Sequence, residues 1–403
     1  MRKGWSLKTI AATSKIVSGG TPKTKIEEYW GGDIAWITPA DLGKLNTREV
    51  SLTRRTITAE GLQKSSAKLF PAYSVILSSR APIGHLAINT IPMATNQGCR
   101  GIVSSENLDN TFLYYFLKSN IKLLNELGTG TTFKELSTKA LGSVEIPIPP
   151  IQEQKQIVAI LDKAFTAIDQ AKANIKKNIV NAKELFQSKL NAIFSQKGAG
   201  WERKKLNEIC EVKDGTHNSP KYVGEEFGIP FVTQKNILNS GISFKNTKFI
   251  SEEDHNDFYR RSNVANNDIL VSMIGANRGM SCIVDDKRVF SIKNVGLIKS
   301  NENYRAKFIL YFLKSPIAKK YVAENSSGSA QGFIGLTKLR AFPIPFTNIE
   351  NQKKIELLIE SLNDSINTTV FNYTLKLNSL EELKKSILQK AFSGELTQRE
   401  VVV

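Results

Sequence analysis

Cysteine is scarce: three residues in a chain of 403, Cys99, Cys210 and Cys282, far apart and without a Cys-x-x-Cys pair. Such spacing excludes a disulfide framework and points to a reducing, intracellular compartment. Histidine is as scarce. His85, His217 and His255 stand alone, none with a cysteine or second histidine nearby, so no metal site can be assembled from spacing. No stretch approaches 18 uninterrupted apolar residues, and the opening MRKGWSLKTI lacks the apolar core of a signal peptide. A soluble, cytoplasmic protein with no membrane partner is expected. Nucleotide chemistry is missing too. No Gly-x-x-x-x-Gly-Lys-Ser/Thr loop occurs, and Gly128-Thr-Gly-Thr-Thr132 has no Lys-Ser/Thr after it. No Asn/Asp-Pro-Pro-Tyr/Phe motif occurs either; Ile148-Pro-Pro-Ile151 lacks the amide or carboxylate that would hold a target amine. Glu252-Glu253-Asp254 is the one enzyme-like cluster, and without a partnered histidine or metal pattern it reads as a solvated acidic turn. The chain is expected to catalyse nothing and to hold no cofactor or metal of its own.

Positive charge is plentiful. The net charge is +17 and the pI near 9.6. Residues 1–150 carry 18 basic and 11 acidic groups, and residues 201–347 carry 22 and 15, so each stretch has a net charge of +7. Two equally basic stretches suit a polyanion, bound by phosphate neutralisation and counterion release.

The chain also repeats itself. FLYYFLKS at 112–119 answers to FILYFLKS at 308–315, Trp5 to Trp201 and Pro147-Ile-Pro149 to Pro343-Ile-Pro345, all at an offset of 196. At 198, Gln154-Lys-Gln-Ile157 matches Gln352-Lys-Lys-Ile355, and Phe194-Ser195 matches Phe392-Ser393. Two related halves suit a two-fold partner, of which duplex DNA is the commonest.

Each half reads as a mixed segment followed by a long helix, giving units at 1–150 and 199–347 and helices at 151–198 and 348–403. Short β-rich runs at 34–37, 73–77, 101–103, 229–232, 268–273 and 295–298 are punctuated by turn chemistry, as in Ser18-Gly-Gly-Thr-Pro22 and Asp214-Gly-Thr-His-Asn-Ser-Pro220. The two FLKS-ending segments are predicted as short buried helices whose aromatics are core. The first long helix is predicted from about Ile151 to Ser195, with Pro149-Pro150 ahead of it and Gly198-Ala-Gly200 behind. Apolar residues recur in it at steps of three and four, from Ile157, Leu161 and Ala164 to Leu190 and Ile193. The second, from about Ile349 to Ala391, carries Ile355, Leu358, Leu362, Ile366, Val370, Tyr373, Leu377, Leu380, Leu383, Ile387 and Ala391. Such stripes are coiled-coil seams. Repeat symmetry brings the end near Ser393 back beside Trp5, which only an antiparallel pair allows. At 1.5 Å per residue the pair would form a rod of roughly 65 Å, an upper limit of about 19 base pairs on half-site separation.

In this order, the chain resembles a specificity subunit of a Type I restriction–modification enzyme. The resemblance covers essentially all of it. It rests on Val17-Ser-Gly-Gly-Thr-Pro-Lys23 after Trp5-x-x-x-x-Ile10, Ala94-Thr-Asn-Gln-Gly98, and Gly130-Thr-Thr-Phe-Lys-Glu-Leu136 followed by Ile146-Pro-Ile-Pro-Pro-Ile-Gln-Glu-Gln-Lys155. The second half departs from it, with Lys213-Asp-Gly-Thr-His217, Lys293-Asn-Val-Gly296 and Ser327-Gly-Ser-Ala-Gln-Gly332. Divergent halves are what an asymmetric, split target needs. The resemblance implies two α/β (α+β) target recognition domains in pseudo-two-fold arrangement, separated by a long antiparallel two-helix coiled coil. It further implies that each unit reads a few base pairs of double-stranded DNA, that the coil sets the spacer, and that the helices dock two modification (methyltransferase) subunits. Restriction/translocase subunits would join them. S-adenosylmethionine, ATP and Mg²⁺ would sit on those partner subunits, and the assembly would be an adenine-DNA methyltransferase and ATP-dependent endonuclease. A stand-alone regulator or architectural protein that bridges duplexes is the alternative, although no helix-turn-helix is evident.

Base reading needs long polar side chains on loops, since Arg reaches guanine and Asn or Gln reaches adenine in the major groove. The candidates in the first unit are Lys23, Arg80, Asn96, Gln97, Thr131 and Lys134, and in the second Lys213, His217, Asn277, Arg278, Lys293 and Gln331. Arg80 and Arg278 follow aligned strands in Gly-containing loops, which predicts a strand-end arginine in both halves. Some of these residues are expected to bind phosphates, which position the protein without specifying sequence.

Overall fold

The computed structural model describes residues 2–131, 134–196, 198, 200–275, 277–300, 302–326 and 332–397. The chain forms two compact units, residues 1–174 with 375–403, and residues 175–374.

In the first unit β2 (Ser14–Ser18), β4 (Glu49–Val50), β6 (Val75–Ser78), β7 (Leu86–Asn89) and β9 (Cys99–Ser104) form one sheet in the order β2-β9-β6-β7-β4. A smaller sheet has β3 (Trp30–Ile37) between β5 (Arg55–Ile57) and β8 (Met93–Thr95), with β3 and β8 parallel. A third pairs β1 (Ser6–Thr9) with β10 (Glu145–Ile148). The second unit repeats this plan. Its β12 (Val212–Asp214), β18 (Ile269–Ser272), β19 (Ser281–Ile283) and β21 (Val295–Ile298) run β12-β21-β18-β19. Its β13 (Tyr222–Val223), β14 (Ile229–Val232), β17 (Lys248–Ile250) and β20 (Ser291–Ile292) run β13-β17-β14-β20, again with one parallel pair, β14 and β20. A two-stranded sheet of β11 (Trp201–Lys205) and β22 (Pro343–Thr347) matches β1–β10, and β15 (Ile237–Leu238) and β16 (Gly241–Ile242) add a hairpin.

The repeated aromatic segments are helices, Asn110–Ser119 and Asn303–Leu313, and their rings are core as expected. Phe112 and Phe116 stand edge-on to Phe392 at 5.2 and 5.4 Å, and Phe308 and Phe312 stand edge-on to Phe194 at 5.5 and 5.4 Å. The two phenylalanines matched at an offset of 198 thus do the same job, each closing a core with the last turn of a long helix. Truncating the buried Phe194 ring costs about 3–5 kcal/mol, and the half-buried Phe392 ring less.

The long helices span Ile151–Phe194 and Ile349–Ser393. They run antiparallel within each unit. In the first, Lys172 pairs with Glu381 and Asp169 with Lys384; in the second, Asn178 meets the Tyr373 hydroxyl. Each is entered through a buried glutamine. Gln154 donates to the carbonyls of Asn107 (2.8 Å) and Pro149 (2.9 Å) and accepts from Asp109 N–H (2.8 Å); Gln352 donates to the Thr347 carbonyl at 2.6 Å. Those bonds account for the repeated Gln-Lys signature. The chain ends meet in the first unit, where Glu153 takes Arg2 at 2.7 Å and Trp5 Nε1 at 3.1 Å, and Arg2 donates to the Gly394 carbonyl at 2.9 Å.

One detail of the seam differs from the periodicity. Leu358 and Leu383 are exposed, while Ile359 and Leu388 are buried. Near its ends the second helix packs on a globular core as well as on its partner helix, and that turns its buried face by one residue. In the middle of both helices the stripe is only half-buried, because one neighbouring helix covers one face.

All three cysteines are free thiols, and burial pushes Cys210 and Cys282 up to about 11 and Cys99 higher still. Among the described residues no helix is long and apolar enough to cross a membrane, and no cluster of metal-ligating side chains occurs.

Candidate nucleic-acid interface

In the first unit four loops converge where β2, β6 and β8 end. After Ser18 the backbone passes so close to the end of β8 that a Cβ on Gly19 would lie 1.9 Å from the Asn96 carbonyl oxygen; Gly20 N–H donates to Thr95 at 2.8 Å. Only glycine fits there, which is the physical content of the Gly-Gly-Thr-Pro signature. The Thr21 hydroxyl then reaches Gln97 Oε1 at 2.5 Å, and Asn96 Oδ1 accepts from Gly98 N–H at 3.0 Å. Lys23 and Gln97 are exposed and Asn96 is half-buried. The Lys23 carbonyl accepts from the indole of Trp30, and the Arg55 guanidinium lies 3.5 Å from the centre of that indole.

Buried Arg100 ties these loops to the other two. It donates to the carbonyls of Gln97 (2.8 Å) and Cys99 (3.0 Å), and its other nitrogen meets Glu135 at 3.2 Å. Glu135 also faces Arg80 at 3.5 Å. The 129–135 loop is closed by reciprocal backbone bonds between Thr129 and Glu135 (3.0 and 2.8 Å) and docks through Leu136 N–H to the Ser79 carbonyl at 2.8 Å. Thr131 and Lys134 are exposed on it. All six first-unit candidates therefore belong to one connected set of loops. The bracing roles of Arg100 and Glu135, which hold that set together, are not evident from the sequence: an arginine inside a strand carries no spacing signal, and Glu135 stands in the 130–136 motif with no partner indicated.

Glu135→Gln should lower the stability of the first unit by about 1–2 kcal/mol, less than for a fully buried pair because Glu135 is 40 % exposed. Denaturant unfolding would show it; an unchanged midpoint would mean that Arg100 is held by its carbonyl partners alone.

The second unit builds the corresponding place differently. A Cβ on Gly215 would lie 2.1 Å from the Ile292 carbonyl oxygen, the same close approach as at Gly19. His217 has its ring nitrogens 2.6 Å from Asn294 Oδ1 and 3.0 Å from Asp214 Oδ2. Nearly buried Asp214 also accepts from Arg261 at 3.2 and 2.6 Å. Lys293 reaches the Ser219 hydroxyl, and Lys213 pairs with Glu211 at 3.0 Å. His217 and Lys293 are thus brought together, joined by Asp214, Arg261 and Asn294, which sequence reasoning missed; Lys213, one residue before Asp214 in β12, faces the other side of the sheet. Asn294 adopts φ of 52°, a left-handed turn that asparagine tolerates.

Asn277 and Arg278 lie in the loop after β18, which bonds through Gly275 N–H to the Gly332 carbonyl at 3.0 Å and sets the Arg278 guanidinium against Gly332. They line a cavity against the long helices, and Arg278 donates to the Gly275 carbonyl at 3.3 Å. The expected strand-end arginine in both halves is not found. Arg80 bridges Glu135 two residues past β6, whereas the corresponding bridge past β18 joins Ile274 to Phe333. Arg278 lies six residues past β18. Arg278 thus falls four positions further along its loop than Arg80, and the apolar Ile274–Phe333 pair stands where Arg80 and Glu135 stand in the first unit. Gln331 lies outside the described residues. Glu252-Glu253-Asp254 form the first turn of the helix Glu252–Ser262, where the helix dipole favours carboxylates.

The model of the Type I restriction modification DNA specificity domain family matches residues 2–181 and again 198–386. The chain belongs to the specificity subunits of Type I restriction–modification enzymes. This specificity subunit is 28 % identical to that of the Type I restriction enzyme MjaIX from Methanocaldococcus jannaschii, over 99 % of this chain and 95 % of that one. It is 26 % identical to the EcoBI specificity subunit of Escherichia coli, over 76 % and 70 %. Among solved structures, a chain from work on assembly and conformational transition of the type I R-M system superposes with a TM-score of 0.75 at 17 % identity, over 98 % of this chain and 99 % of that one. The HsdS subunit of Thermoanaerobacter tengcongensis gives 0.62 at 16 % identity, over 98 % of each chain. Two recognition domains and long helices are the shared fold.

Proposed function

We propose that this chain is the non-catalytic DNA-reading subunit of a Type I restriction–modification assembly, and that each unit reads one half of a split, asymmetric duplex target. The observation that carries this reading is the contrast between the two loop clusters. Both stand on the same strand plan with the same glycine close approach, yet one is braced by Arg100–Glu135–Arg80 and the other by Arg261–Asp214–His217. Same scaffold and different side chains is what an asymmetric target requires. Lys23, Arg80, Asn96, Gln97, Thr131 and Lys134 are the proposed contacts of the first unit, and His217 and Lys293 those of the second. Some contact bases and the rest contact phosphates. The long helices set the spacer and dock two methyltransferase subunits. Support for docking comes from large apolar side chains exposed on them, among them Leu357 (66 %), Leu358 (59 %) and Phe371 (61 %). S-adenosylmethionine, ATP and Mg²⁺ would act on the partner subunits, restriction/translocase subunits included.

Replacing residues 1–150 with the matching unit of another specificity subunit tests the reading. One half-site should change and the other should stay. If both changed together, the units would not read independently, and a bridging regulator would be the better description.

A further inference from the structure

A cavity of about 730 Å³ opens in the second unit, between the loop after β18, the helix Asn303–Leu313 and the two long helices. Its charged side chains are Arg278, Lys314 and Lys319, and no carboxylate lines it among the described residues. Each cation ends on a neutral oxygen. Lys314 donates to the Asn239 carbonyl at 3.0 Å, Lys319 to Gln187 Oε1 at 2.8 Å and Arg278 to the Gly275 carbonyl at 3.3 Å. Burial holds both lysines below their ordinary range, and the charge of Lys319 adds to the lowering at Lys314, so the two ammonium groups share one space. Of the acids around it, Glu356 and Glu360 pair with Lys307 at 3.2 and 2.5 Å; an adjoining cavity that shares Lys314 holds Asp285 and Asp286, the latter paired with Arg288 at 2.6 Å.

The first unit supplies the control. Its matching cavity, about 540 Å³, has Lys118 where the repeat puts Lys314, but it also contains Asp162 and Asp169. Those carboxylates pair with Arg48 at 2.6 Å and Lys384 at 2.5 Å, so two of the three lining cations there are neutralised, whereas none of the three in the second cavity is, among the described residues. At the offset of 198, Asp169 corresponds to Asn367, and the second cavity has lost that acid.

We propose that the second-unit cavity is a binding site for a phosphate-type oxyanion. Three cations around one concavity repel each other until an anion enters. A guanidinium suits the bidentate geometry of phosphate, and the amides around it suit a polar body attached to the anion. The volume fits within the range of about 300–1,000 Å³ usual for small-ligand sites. The phosphate belongs either to a nucleic-acid backbone or to a phosphorylated small molecule. The site itself stands whether or not the loop clusters read DNA.

Calorimetric titration of the full chain with pyrophosphate at low salt tests this. One saturable site is expected, weakened about tenfold or more by Lys319→Gln and by Arg278→Gln, where tenfold corresponds to about 1.4 kcal/mol. Lys118→Gln, in the acid-containing first cavity, should leave affinity unchanged, and all three variants should keep the wild-type thermal midpoint. Competition by a DNA duplex, with a salt slope lower by about one in Lys319→Gln, would assign the phosphate to a backbone. Independent binding of duplex and pyrophosphate would assign it to a small molecule. Absence of saturable binding, or binding that neither Lys319→Gln nor Arg278→Gln weakens, overturns the proposal.

Discussion

Gly19→Ala should abolish reading of one half of the target and leave the other half intact, and Gly215→Ala should do the converse. The added carbon meets a backbone carbonyl oxygen at 1.9 Å in one case and 2.1 Å in the other, so no side-chain rotation relieves it. The loop has to lift from the end of β8 or β20. Overpacking of this kind costs about 1–3 kcal/mol of stability, which a domain of this size survives. Recognition is the more sensitive property. At Gly19 the displaced backbone carries Thr21, whose hydroxyl holds Gln97; at Gly215 it carries His217, held to Asn294. Each lost bidentate base contact is worth about 1–3 kcal/mol of discrimination, so losing two predicts roughly a hundredfold or larger fall in specificity. Binding to duplexes randomised in one half or the other separates the two effects. Equal loss on both duplexes from either substitution would contradict independent reading.

The second large effect concerns the spacer. Removing residues 168–174 and 379–385 together deletes one heptad from each long helix at positions that face each other in the first unit. There Lys172 meets Glu381. Seven residues are two turns at the 3.5-residue coiled-coil period, so the apolar stripe keeps its face. They are also about 10.5 Å of helix, roughly 3 base pairs of duplex. The two half-site sequences should be unchanged and the gap between them shorter by about that amount. An unchanged gap would show that the helices do not measure the spacing.

Much of this architecture was legible because the chain says it twice. The aromatic octads, the Pro-Ile-Pro strand and the buried Gln at each helix entry come in matched pairs, and each pair occupies corresponding places in the fold. Helix stripes were legible because their period is local. Sheet topology was not. The strands are short, and the parallel contacts of β3 with β8 and β14 with β20 join segments about sixty residues apart with no local signature. Tyr73, read as strand, is an exposed turn residue at φ of 63°. Loop candidates could be named from turn chemistry and side-chain type, and in the first unit they converge. Arg278 could not be distinguished from a strand-end arginine, because both loops contain Gly and Arg and only the register, with Ile274 at the place of Arg80, separates them. The bracing roles of Arg100, Glu135, Asp214 and Arg261 were not legible, although Glu135 and Asp214 stand inside quoted motifs, because their partners are set by tertiary approach.

Co-expression with a cognate methyltransferase subunit in cells free of DNA methylation, followed by sequencing of modified bases, tests the central claim most directly. The account predicts methylation at a split motif, two different short blocks around a fixed unspecified gap. A contiguous motif, or no modification by a methyltransferase shown to be folded and bound to this chain, would contradict it.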